Sequence, residues 1–378
     1  STLSTVFFSQ TLSPPPAPSM APSPPRMRLQ WVDTGMFPNF FGNRAVAEAL
    51  EQAVETRRIP QTLLLAGPEG IGKATLARRF AARLLGHQEQ IERDDLNLPD
   101  HAATVKDREK WPAEKRNEDP LLFASYPDFV TFAPDGPLRQ ISIQQMRLLK
   151  ERAQFKPLRG SYRVFLIDQL DRANEQAANS LLKTLEEPPE HLILIATAGN
   201  SYDLLPTIRS RSVIFHLSPL NGEEMAGFVR SRNLADVERR IALAQGSPGL
   251  AVSLDLEVYD RRRAAMLALL EAAAGAAPFA AWIEQAESAG VRQEKLEPLL
   301  DVLYRLLHDL LVLQQAGAGG GEIRNCDLRE PLTRLAARVS FAWIRRAVGR
   351  VDEIAAFLRR NIQKNLALDA LVVELRPN

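Results

Sequence analysis

The chain has 378 residues, 47 Lys plus Arg against 46 Asp plus Glu, a formal net charge of +1, and one cysteine. That length predicts two or three domains of about 100–200 residues each. One cysteine excludes an intramolecular disulfide and any zinc site needing two cysteines from this chain. The near-neutral balance removes the bulk electrostatic case for a nucleic-acid-binding module acting alone. No apolar run of about 18 residues is present, so no membrane-spanning helix is expected, and the composition reads as a soluble, cytoplasmic protein.

The first 26 residues hold seven prolines between Pro14 and Pro25, and Arg26 is their only charge. Such a stretch buries too little apolar surface to offset its ordering entropy, which predicts a disordered Pro/Ser-rich tail over 1–36. No basic residue precedes Val6-Phe7-Phe8, so the stretch lacks the form of a secretory signal. Ala45 to Arg57 reads as a helix, with Val46, Leu50 and Val54 spaced four apart. Leu63-Leu64-Leu65-Ala66 reads as a buried strand entering a Gly-Pro turn, and a helical pattern through Leu85 closes at Gly86. Residues 87–120 carry ten acidic and six basic residues with little apolar periodicity, and are expected to be an exposed, mobile insertion. Four further apolar runs follow, at Phe129–Phe132, Val164–Ile167, Leu192–Ala196 and Val213–Phe215, separated by helical stretches. This alternation predicts a parallel sheet covered by helices on both faces. After Pro219 the pattern is helical: a small unit from Glu223 to Ala244, a leucine stripe from Leu299 to Leu311, a flexible loop over Ala316 to Gly321, and two segments between Phe341 and Leu375.

Gly67-Pro68-Glu69-Gly70-Ile71-Gly72-Lys73 lies between the first strand and the next helix, the context of a phosphate-binding loop. Glycines let backbone N–H groups approach phosphate oxygens at a helix N-terminus, and Lys73 supplies charge for the β- and γ-phosphates. The position after that lysine needs a hydroxyl to hold Mg²⁺, and Ala74 has none. Thr75 sits about 100° further round the helix. Val164 to Asp168 has the form of a strand ending in a metal-binding carboxylate, yet Gln169 follows where a general base would be needed. An amide does not act as a base at neutral pH. One metal ligand and one base are therefore missing, and Gly67, Gly70, Gly72, Lys73 and Asp168 are expected to form a degenerate nucleotide site.

The string from Ala177 to Pro189 (AANSLLKTLEEPP) is a one-faced helix stopped by two prolines. Together with Leu205 to Ser212 (LPTIRSRS), the Phe41-Gly42-Asn43 opening and the Tyr126-Pro127-Asp128 turn, it closely resembles the bacterial DNA polymerase III clamp-loader subunits. The broken nucleotide site places the resemblance in the δ′ branch of that family, with the hydrolysing γ/τ type as the alternative. The resemblance runs from about Phe40 to Leu375. It implies an AAA+ α/β P-loop module over 37–218, a helical lid over 219–255 and an all-α collar over 256–378 that joins five subunits in a ring.

It also implies a stator that helps load a sliding clamp on primed DNA, with γ/τ and δ subunits as partners. The family's Ser-Arg-Cys motif offers an arginine to ATP bound in the neighbouring subunit. Here the motif reads Ser210-Arg211-Ser212, so Arg211 is the matching residue. A guanidinium suits that role because it stays charged. Gly249 stands where the family has a nucleotide-sensing arginine, a third departure from an active ATPase. The family's four-cysteine zinc module has no counterpart in 87–120, where only His87 and His101 could ligate, so no zinc is expected. Nor is a resident cofactor expected, although residual nucleotide binding stays open.

Overall fold

The computed structural model describes residues 37, 40–316, 321, 323–356 and 363–376. The expected tail over 1–36 and most of the expected loop at 316–321 lie outside the described residues. The apolar runs become strands β1 (Thr62–Ala66), β3 (Phe129–Phe132), β4 (Arg163–Ile167), β5 (Leu192–Ala198) and β6 (Val213–His216). A short strand absent from the sequence reading, β2 (Phe123–Tyr126), adds an edge. Only its two end residues are buried, and four residues carry too little alternation to announce a strand. The sheet order is β2-β3-β4-β5-β1-β6, parallel throughout except for antiparallel β2. Every residue of β1, β4 and β5 is buried, as two covered faces require.

Alternate residues of each strand serve opposite faces. Leu64, Phe165, Ile167 and Leu194 pack with Met146 and Leu149 of α6 (Ile143–Ala153) and Leu181 and Leu185 of α7 (Glu175–Glu186). Leu63, Leu65, Val164 and Ile195 pack with Leu50 of α1 (Arg44–Glu55) and Leu76 and Phe80 of α2 (Lys73–Leu85). The expected α/β layering is thus the one observed. Because β1, β4 and β5 are parallel, their carboxyl ends meet on one side, the usual place for a ligand crevice in such sheets.

Residues 87–120 depart from the expected irregular insertion. They fold into three short helices, α3 (Gln88–Glu92), α4 (Pro99–Arg108) and α5 (Ala113–Glu118). Ile91 and Val105 are buried, and the charges find partners both within and outside the segment. Arg78 of α2, 1% exposed, pairs with Glu92 and Asp95. Arg108, 3% exposed, reaches Asp119 at 3.0 Å and Asp135 at 2.8 Å. Local composition reads such a stretch as solvated because the compensating groups are remote in sequence.

Downstream, α8 (Pro206–Arg209) leads into β6. Three helices then enclose a small core of Met225, Phe228, Val229, Ala244 and Ala251: α9 (Gly222–Ser231), α10 (Val237–Ala244) and α11 (Pro248–Ser253). Asn221 and Glu224 cap α9 reciprocally. The remaining helices are α12 (Leu256–Ala273), α13 (Phe279–Ser288), α14 (Leu296–Ala316), α15 (Arg329–Arg338), α16 (Phe341–Ala356) and α17 (Lys364–Leu375). They share one apolar core around the α14 stripe, where Leu299, Leu300, Leu303, Leu306, Leu307 and Leu310 are all buried and Leu311 packs at the edge. Arg305 of α14 donates to the Leu243 carbonyl of α10 at 2.5 Å, and Arg239 of α10 pairs with Asp260 of α12. These contacts fasten the three-helix unit to the C-terminal helices.

Candidate functional site

The loop between β1 and α2 turns on glycine. Gly67, Gly70 and Gly72 have φ of 153°, 74° and 96°, backbone that other residues rarely adopt. A Cβ on Gly67 would lie 2.3 Å from the Leu217 carbonyl oxygen, so the close approach of the loop to the end of β6 also needs glycine there. Gly72 is the N-cap of α2 and contributes no side-chain cap, which leaves backbone N–H groups at an electropositive helix end. Lys73 is largely buried, and its ammonium donates to the Gly67 and Pro68 carbonyls at 2.6 and 2.7 Å. Burial holds its pKa below the usual lysine value, opposed by the charges of Asp168, Asp171 and Glu69.

Asp168 sits at the carboxyl end of β4 and is 9% exposed. Burial pushes its carboxyl above the usual range, opposed by a hydrogen bond from the Thr197 hydroxyl and by the charges of Arg78 and Lys73. The Thr197 hydroxyl donates to Asp168 Oδ1 at 2.6 Å and accepts from the Gln169 N–H at 2.8 Å. Gln169 itself has φ of 55°. Thr197 escaped the sequence reading. Its signal is a hydroxyl inside the otherwise apolar run Leu192 to Ala198, fully buried and therefore obliged to find a partner. Asp171 accepts from the Gly199 N–H at 2.9 Å.

The three-helix unit closes directly on the loop. The Gly249 N–H donates to the Gly70 carbonyl at 2.7 Å, and the Ser247 hydroxyl donates to the Glu69 carbonyl at 3.1 Å. A Cβ on Gly249 would meet the Gly70 Cα and carbonyl oxygen at 2.9 Å, closer than real Cβ contacts come. A Cβ on Gly70 would meet the Ser247 hydroxyl oxygen at 2.3 Å. Lys73 is turned onto the loop, Ala74 has no hydroxyl to offer a metal ion, and the Gly70 carbonyl is engaged by the Gly249 N–H.

Arg211 lies elsewhere. Ile208 anchors α8 in the core, and Ser212 bonds back to the Ile208 carbonyl at 2.8 Å. The Arg211 guanidinium donates to the Thr207 carbonyl at 3.1 Å and pairs with Glu186, at the end of α7, at 3.0 Å. Arg211 precedes β6, whereas the glycine loop follows β1, and these neighbouring strands are parallel with Leu63 opposite Val213. The two features therefore lie at opposite ends of the sheet, about 20 Å apart along the strands. Lys73, Asp168 and Thr197 gather at the carboxyl ends of the strands, whereas Arg211 lies at their amino ends.

Residues 42–221 match the family model described as DNA polymerase III, delta subunit. The chain is 26% identical over 318 residues to the DNA polymerase III subunit tau of Escherichia coli (strain K12), covering 78% of this chain and 46% of that one. It is 30% identical over 195 residues to the DNA polymerase III subunit gamma of Buchnera aphidicola subsp. Acyrthosiphon pisum, covering 51% and 48%. The chain thus spans about half the length of the curated relatives it matches. Among solved structures, a DNA polymerase III gamma subunit-related protein from Thermotoga maritima aligns with 86% of this chain and 98% of its own, at 15% identity and a TM-score of 0.45. Over residues 42–221 the chain is therefore similar to the DNA polymerase III delta-subunit family, and over a wider span it is similar to the tau and gamma subunits.

Proposed function

We propose that this chain is a δ′-type clamp-loader subunit: a non-hydrolysing stator that presents Arg211 to ATP bound by a neighbouring subunit. The observation that carries the reading is the separation of Arg211 from the chain's own glycine loop by the length of the sheet. A guanidinium so placed serves a phosphate on another chain, where its fixed charge stabilises the transferring phosphoryl group. Ala74, Gln169 and the Gly249–Gly70 contact add that the chain's own crevice is ill suited to turnover. In this reading residues 37–218 form the AAA+ module, 219–255 the lid and 256–378 the collar that joins γ/τ and δ subunits. The assembled ring, in the cytoplasm, then acts on the sliding clamp and primed DNA.

The test is ATP hydrolysis by a complex reconstituted with Arg211→Ala. The variant is expected to fold and assemble like the wild type while hydrolysis falls at least tenfold, the low end of what such arginines contribute being larger still. An unchanged rate refutes the assignment of Arg211. The relatedness to tau and gamma supports a second reading, a hydrolysing subunit of that type. Magnesium-dependent hydrolysis by the isolated chain, abolished in Lys73→Ala, would establish that reading and remove the first.

A further inference from the structure

We infer that Glu186 is a restraining group for Arg211, holding the guanidinium as a neutral pair until a neighbour's phosphate displaces the carboxylate. The inference rests on the reading of Arg211 given above and adds its regulation. Three observations support it. The α7 helix ends at Glu186, and Pro188 and Pro189 prevent its continuation, so the carboxylate is delivered at a fixed place. The backbone of the 207–212 turn is fixed independently: Ser210 donates from its hydroxyl to the Thr207 carbonyl, Arg211 from its N–H to Ile208, and Ser212 from its N–H to Arg209. Only the Arg211 side chain is then left to be positioned, and it meets Glu186 at 3.0 Å with both groups substantially solvent-accessible.

Exposure sets the strength. A pair screened by water weighs only a few-fold in an equilibrium, so it cannot hold the arginine against the several negative charges of a bound nucleotide. It can compete with a weakly occupied site. A carboxylate beside the guanidinium also opposes a second anion by like-charge repulsion. Glu186 therefore raises the nucleotide occupancy that the neighbouring site needs before Arg211 engages, which suppresses hydrolysis in partial assemblies. Thr207 plays a different part: its carbonyl accepts from Arg211 Nη1 and leaves Nη2, the nitrogen paired with Glu186, as the one to be released.

The test compares three forms of the full chain in the reconstituted complex. Glu186→Gln, an isosteric change at a solvent-accessible position, should raise hydrolysis at subsaturating ATP about two- to fivefold and converge with the wild type at saturation. Arg211→Ala should lower hydrolysis at both. An unchanged or lowered rate in Glu186→Gln, with Arg211→Ala still defective, overturns the restraint and leaves the role of Arg211 intact; an unaffected Arg211→Ala removes the underlying reading. A second readout needs no turnover. In the free chain labelled with ¹⁵N-arginine, the Arg211 Nε–Hε resonance, assigned by its loss in Arg211→Ala, should shift and sharpen in Glu186→Gln. A resonance that stays in place overturns the pairing.

Discussion

Asp168 and Gly249 show how closely single residues are constrained around the glycine loop. Burial holds the Asp168 carboxyl above its ordinary value, so the folded chain binds that proton more readily than the unfolded chain. Its charge therefore costs stability above the folded-state pKa and nothing below the unfolded value of about 3.9. Asp168→Asn keeps an acceptor for the Thr197 hydroxyl and removes the charge. Thermal melts at pH 7.5 should show a higher melting temperature than the wild type. That gain should vanish as the pH approaches about 4. Gly249→Ala forces a methyl into the Gly70 backbone and should cost about 1–3 kcal/mol in urea unfolding. Gly222→Ala, where a Cβ meets nothing within 4 Å, is the matching control and should be neutral or slightly stabilising. Lys73, Asp168 and the missing groups at 74 and 169 were legible because their motifs are contiguous. Thr197 was not, since its bond to Asp168 spans 29 positions and no local pattern encodes it.

At the scale of elements, the apolar strands and the one-faced helices were readable because burial on two faces or on one stripe leaves a periodic trace. The segment 87–120 left none. Its helices are held by Arg78 and Arg108, which pair across 11 to 27 positions in the contacts to Glu92, Asp119 and Asp135, a pattern identical in composition to a solvated loop. This gives a direct check. Arg108→Ala strands Asp135, whose side chain is 8% exposed, beside a cavity. The loss should be about 2–4 kcal/mol, somewhat below a fully buried pair because Asp119 is largely in water. Hydrogen exchange should localise the loosening to α4 and α5. If the segment were a solvated insertion, the variant would melt with the wild type.

For the whole molecule, what sequence could not supply was register. That Arg211 and the glycine loop sit at opposite ends follows only once β1 and β6 are known to be adjacent and parallel. The attachment of the three-helix unit is likewise a matter of remote pairs, Arg305 to Leu243 and Arg239 to Asp260. Arg305→Met retains the stem and removes the donor, leaving the Leu243 carbonyl unpaired at a cost of about 1–3 kcal/mol. Amides of α10 should then exchange faster while those of α6 are unaffected. Equal acceleration in both would mean that Arg305 supports the fold at large rather than this junction.

The contact between Gly70 and Gly249 has a consequence for the history of such a chain. A side chain on Gly249 collides with the Gly70 backbone, and one on Gly70 collides with the Ser247 hydroxyl, so each position is held to glycine by the opposing segment. A lone replacement of Gly249 by a nucleotide-sensing arginine would be eliminated for instability before it could be tested for activity. If the chain is the non-hydrolysing subunit proposed above, recovery of an ATPase from this scaffold would require the glycine loop, the three-helix unit, the hydroxyl at 74 and the base at 169 to change together. In that reading the seam works as a ratchet: it makes a loss of catalysis far easier to acquire than to undo.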